Sequence, residues 1–225
     1  MHRDPLPLWP LPLLVALVPF VAAHVAHALS IDAGHVPACM PYVEGCTSIS
    51  RAARHGLGNI VFRLLMLPCA LLLTLHWLSA RRWLRLSHAD PRAGRSLLVL
   101  APFAGVALAT YVAFLGTDGE IYRWLRQYGA QLYFASAYIA QLVFFRRYRE
   151  IVGRYDGIGR ALLAISVAML LLGLAYTTVA NTLADAALKD RLENLLEWQI
   201  GLLMSAWYLL QAMVWRRSGF RLGFE

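Results

Sequence analysis

Six stretches of about twenty mostly apolar residues, joined by short polar connections, constrain this chain more than any motif does. About 20 such residues are what an α-helix needs to cross roughly 30 Å of hydrocarbon. A helix also satisfies its own backbone hydrogen bonds, as any chain inside a bilayer must. The stretches fall at about 8–29, 59–80, 96–115, 125–145, 160–180 and 193–215. They use up nearly all of the 225 residues, which leaves no room for a separate soluble domain. The expectation is an all-α polytopic membrane protein, with residues 1–225 forming a single bundle of six transmembrane helices and an outer loop at about 30–58. A hydrophobic share of 59%, only 15% charged residues and a mean hydropathy of +0.54 place the chain in the same class.

The first stretch follows a basic lead, MHRDPLPLWP, much as a secretory leader would. It is long for a leader and holds His24 and His27, so it reads as a first span. Pro68 lies inside the second stretch, where it predicts a kink because it removes one backbone donor.

Arginine placement sets the expected orientation. With the N-terminus inside, 14 of the 21 basic residues fall on the inner side, at Arg3, in the segments 81–95 and 146–160, and at Arg216, Arg217 and Arg221. The other 7 fall outside, beside 8 of the 13 acids. Cytoplasmic segments of membrane proteins are enriched in Lys and Arg, so both termini are expected in the cytoplasm and the chain in a cell membrane. The net charge of +8 is then a matter of topology and of attraction to anionic head groups, and it gives no reason to expect a nucleic-acid partner.

Polar residues gather in the outer halves of the expected spans. They include His24, His27, Asn59, Arg63, Arg126, Gln127 and Gln131, then Tyr176, Thr177, Asn181, Glu193, Glu197 and Gln199. Polar groups in lipid require partners, so this asymmetry predicts an outward cavity, with Arg63 and Glu197 as the charges that pair across it. The alternative is a set of interfacial side chains that meet water at helix ends.

Three chemical patterns need weighing. His24 and His27 share a helix face, with His35 and His55 in the following loop, but no His-Glu-x-x-His or paired-cysteine zinc spacing accompanies them and no metal site is expected. His27 and Asp32 match the His-x4-Asp spacing of some glycerolipid acyltransferases, a pattern short enough to arise by chance. Ser48 and Ser50 lie near Glu44, Arg54 and His55, which offers a nucleophile and a base; the competing reading is that one of the serines caps a short helix, SRAARHG, that ends at a glycine. Cys39 and Cys46 share this loop and would close a small disulfide on an oxidising side, while Cys69 stays free in the second span.

Cys39, Tyr42, the Ser48-Ile49-Ser50 box, Gly56, Asn59 and the Phe62-Arg63 step together resemble the first outer loop and second span of the GPI-anchor lipid-remodelling membrane factors. That family also takes in the FGF-receptor-activating protein and the DRAM-type autophagy modulators. Gly129-Ala130 with Phe134 is similar to the family's fourth-span signature, and Glu197-Trp198 to the step that opens its last helix. Two positions depart: Thr47 stands where the family has proline, and Arg126 where it has histidine.

The resemblance implies exchange or addition of acyl chains on a lysolipid or lipid anchor, with a membrane lipid as partner and no cofactor. Taken with the residue patterns above, the candidate lipid-binding residues are Arg63, Arg126, Ser48, Tyr42 and Glu44, and the candidates for chemistry, if any, are Glu197, His55 and Ser50. A non-catalytic lipid-binding protein would use the same residues. The Arg- and Ala-rich composition points to a bacterium, whose inner membrane would supply a lipid other than a GPI anchor.

Overall fold

The computed structural model describes residues 6–88, 90, 92–152 and 156–222. Arg3 and Arg154, both counted in the arginine asymmetry, lie outside the described residues. The described residues are 81% helical, in eight helices, as the apolar stretches require. Six are long: α1 (Pro10–Asp32), α4 (Gly56–His88), α5 (Leu97–Ala113), α6 (Glu120–Val152), α7 (Gly157–Thr182) and α8 (Ala186–Arg217). Two single turns, α2 (Pro41–Glu44) and α3 (Ile49–Ala52), lie in the loop between α1 and α4. Most of the long helices overrun the apolar stretches that predict them, because their polar end turns stay helical beyond the hydrocarbon-length core.

Helix α1 packs between α4 and α8, α5 packs on α4 and α6, and α7 lies along α8, while α6 and α7 touch much less. The bundle has two ends. The loop end carries α2 and α3. At the other end β1 (Leu6–Pro7) pairs antiparallel with β2 (Arg221–Leu222), so the segments flanking the first and last long helices lie together.

Close approach between neighbours is built on small residues. A methyl group on Gly105 would lie 2.0 Å from Thr74 Oγ1 of α4, and one on Gly129 would lie 2.8 Å from the Tyr111 amide of α5. Helices in lipid gain little from the hydrophobic effect, so such contacts, with the dispersion they permit, hold them together.

Three helices, α1, α4 up to Ser87 and α7, are long and apolar enough to cross a membrane, and α5 is apolar but shorter at 17 residues. Helices α6 and α8 have the length, at 33 and 32 residues, but are not apolar enough. Even their charge-free stretches are diluted by glutamines and by tyrosine and tryptophan, Gln131, Gln141, Gln199 and Gln211 among them. Pro68 does not end α4, which runs through it as one helix.

The two ends are packed differently. Toward the β pair the core is aromatic: Trp77, Trp207, Trp215 and Phe144 have no exposed surface, and Trp83 donates to Ser218 Oγ at 3.0 Å. Toward the loop end the helices part around a cavity.

Candidate functional site

The loop between α1 and α4 folds down as a strap across the loop end, and its local chemistry explains how. Cys39 and Cys46 are disulfide-bonded, and they enclose α2, which ends at Gly45 in the left-handed region at φ +62°. Any side chain there would also collide with the Arg191 carbonyl, 2.1 Å from the position of a Cβ. Ser48 caps α3 by accepting from the Arg51 amide at 3.1 Å, which settles capping as its local role. The expected helix SRAARHG is cut to one turn: α3 stops at Ala52, and Gly56, at φ +56°, opens α4 instead.

The strap's backbone carbonyls are satisfied by one face of α8. Gln199 donates to Tyr42 O at 2.9 Å, Arg191 to Glu44 O at 2.7 Å, Asn194 to Gly45 O at 3.0 Å and Trp198 Nε1 to Thr47 O at 2.9 Å. Arg51 adds a two-pronged ion pair to Asp190, at 3.0 and 2.7 Å. That pair holds the Asp190 carboxyl below its ordinary range and raises Arg51. Asn59 fastens the other edge by donating to Ala53 O and Leu115 O. Much of the polar character of the loop end therefore serves to hold the strap.

Beneath the strap lies a cavity of about 630 Å³ between α1, α4, α5, α6, α7 and α8. Cavities of roughly 300–1,000 Å³ are the usual size for a small-molecule site. Its apolar wall includes Phe20, Phe62, Met66, Leu108 and Phe134. Its charged groups are Arg54, Arg123 and Arg126 against a single carboxylate, Glu197. Gln127, Gln131, Tyr42, Tyr111 and Tyr176 add hydrogen-bonding groups.

Arg126 is anchored by donating to Thr117 O at 2.5 Å and Phe114 O at 3.3 Å, the carbonyls that follow α5. Arg54 is half-buried, and its Nε is buried without a partner. Burial first, and then the nearby Arg126 and Arg51 guanidiniums, hold its pKa below the usual arginine value. A cation so placed, short of partners and beside like charge, is what an anion would satisfy.

Of the eight residues assigned lipid-binding or catalytic roles from the sequence, Glu197, Ser50, Tyr42 and Arg126 line the cavity, and Arg63, Ser48, Glu44 and His55 do not. Arg63 is half-buried, lines no part of the cavity and makes no hydrogen bond or ion pair to Glu197 among the described residues. Its neighbour Phe62 faces the cavity instead, and successive helical residues point about 100° apart. The guanidinium expected from Arg63 is supplied by Arg54, nine positions earlier and just past the end of α3.

His55 is exposed beside the His35 ring, 5.4 Å away between centroids, and Glu44 accepts from the Met40 amide at 2.6 Å. The Ser50 hydroxyl pairs with Ser48 Oγ at 3.1 Å, while Glu197 Oε1 accepts from the Ser50 amide at 3.2 Å, so serine and carboxylate do not form a nucleophile and base pair. His27 is buried against Trp198 and Asp32 is exposed, which breaks the His-x4-Asp pattern. No cluster of metal-ligating side chains occurs among the described residues. No family model, curated protein or solved structure matches the chain.

Proposed function

We propose that this chain is a six-span membrane protein that holds an anionic, acyl-bearing lipid in its loop-end cavity. The observation that carries the reading is the lining itself, three guanidinium groups to one carboxylate above an apolar wall. Phosphate or carboxylate suits planar, multiply donating arginine, and the apolar wall suits a hydrocarbon chain.

In this reading all six long helices cross, with α6 and α8 paying for their internal charges by pairing them or turning them into the cavity. The loop end faces outward and both termini lie in the cytoplasm, which suits the disulfide and the arginine-rich opposite end. Reporter fusions at Asp90 and Glu120 then report opposite sides of the membrane; a shared side rejects the topology.

The binding test is native mass spectrometry of the purified protein together with its Arg54→Ala and Arg126→Ala variants. Anionic lipid retained by the parent and lost from both variants supports the reading, and equal retention by all three rejects it. A second reading, lipid remodelling on the acyl chain of a lysolipid or lipid anchor, has one observation in its favour, a carboxylate inside the cavity within reach of whatever binds there. Accumulation of a lysolipid in a deletion strain would select it.

A further inference from the structure

Helices α6 and α7 are joined by a short connection and run antiparallel, yet they touch far less than α5 and α6 or α7 and α8 do. Tyr148 donates to Asp156 Oδ2 at 3.0 Å near the connection, and Tyr138 donates to Ser166 O at 2.9 Å farther toward the loop end. On the β-pair side of the Tyr138 contact, α6 buries Ala140, Gln141, Phe144, Phe145 and Tyr148, and α7 buries Ile158, Gly159 and Leu162.

Toward the loop end full burial falls away. Between Leu170 and Thr182, α7 has no buried residue, and α6 before Gln131 buries only Gly129, which sits against α5. At about 1.5 Å of rise per residue in both helices, the Tyr138–Ser166 contact sets Gln131 level with Gly173 and Gln127 level with Thr177. All four line the cavity. A side chain placed on Gly173 would meet nothing within 4 Å. The two helices thus part like a V whose open end leads into the arginine-lined space, and on α7 the exposed Leu170 lies beside Gly173 on the helix face that carries the cavity-lining residues.

We propose that the cavity opens sideways through this V, and that its ligand is a bilayer lipid that enters between α6 and α7 with its head group directed to Arg54 and Arg126 and its chain lying along the gap. The inference rests on the reading of the cavity as an anionic-lipid site. Water alone would need no apolar slot of this length, whereas a chain that stays in hydrocarbon while its head reaches the guanidiniums does. The head group crosses at the level of Gln127 and Gln131, whose amides offer hydrogen bonds along the way.

The test joins the two arms of the V. A Gln131→Cys and Gly173→Cys double variant, reconstituted in liposomes that contain fluorescent phosphatidylglycerol, is bridged with a photocleavable bis-maleimide either before or after the lipid is loaded. Bridging first should slow uptake by about tenfold or more, within the one to three decades over which on-rates vary among related complexes. Bridging after loading should trap lipid and slow its release by a similar factor, and light should restore both rates. A bridge that only narrowed the cavity would expel lipid in either order, so faster release after bridging overturns the sideways route, as do unchanged rates. Bridges that form between two chains, and not within one, would make the gap a dimer contact and also overturn it. If the unbridged protein takes up no lipid, the anionic-lipid reading itself falls, and the route with it.

Discussion

The two ends of this bundle are built from the same helices and solve opposite problems. Near the β pair, Trp77, Trp207, Trp215 and Phe144 fill the interior and leave no room for a ligand. At the loop end the helices stand apart, the wall is divided between apolar and cationic groups, and a disulfide-bonded strap closes the top. The first arrangement yields stability and the second gives some of it up, because Arg54 is half-buried beside Arg126 with a buried, unpartnered Nε. Sites that bind are commonly where a fold tolerates such cost.

That division is open to attack from either end. The largest effect should come from Trp207→Ala, which removes a fully buried ring; losses of about 3–5 kcal/mol are usual for Trp-to-Ala changes in a core. Unfolding should occur at markedly lower denaturant, while whatever folded protein remains binds lipid normally. Arg54→Ala should do the reverse. Anionic-lipid affinity falls roughly ten- to hundredfold, matching about 1.5–3 kcal/mol for hydrogen bonds to a charged group, and the unfolding midpoint does not drop. Arg63→Ala, at a position outside the cavity, is the contrast and should bind as the parent does.

Smaller effects belong to the strap. Replacing Cys39 and Cys46 by serine should cost about 2 kcal/mol, the low end for disulfides because the enclosed loop is short, and should raise the lipid release rate. The Arg51–Asp190 pair is half exposed, and pairs of this kind contribute only about 0.2–1 kcal/mol. Asp190 has a depressed pKa, so its contribution is complete above the ordinary carboxylate range and is lost as pH falls through the folded value. Proteolysis of the strap should therefore quicken in acid for the parent, and already at neutral pH for Asp190→Asn.

The helices were legible because twenty apolar residues in a row have few other uses. Glu197 and Arg126 were legible as charges at the polar outer ends of long apolar stretches. Arg63 satisfied that criterion equally well and was misleading, since apolar context says nothing about helical phase, and Phe62 took the inward position. Arg54 gave no such signal. It sits in a polar segment beside Arg51 and His55, and only the single-turn length of α3 aims it inward, a length set by where Gly56 reverses the chain. Gln199 looked like a cavity residue and proves to hold a strap carbonyl, as Asn194 does, a partnership across some 150 positions that no local pattern reveals.

That long separation matters while the protein is being made. The strap emerges with the first quarter of the chain, but the groups that receive its carbonyls, Arg191, Asn194, Trp198 and Gln199, come last. At synthesis rates of about 5–20 residues per second, the interval between them is roughly 7–30 s. Until α8 is made, Arg54, joined later by Arg123 and Arg126 of α6, lacks the α8 side of its cavity. Under the proposed lipid reading, the first occupant would be drawn from the membrane in which the protein is assembled.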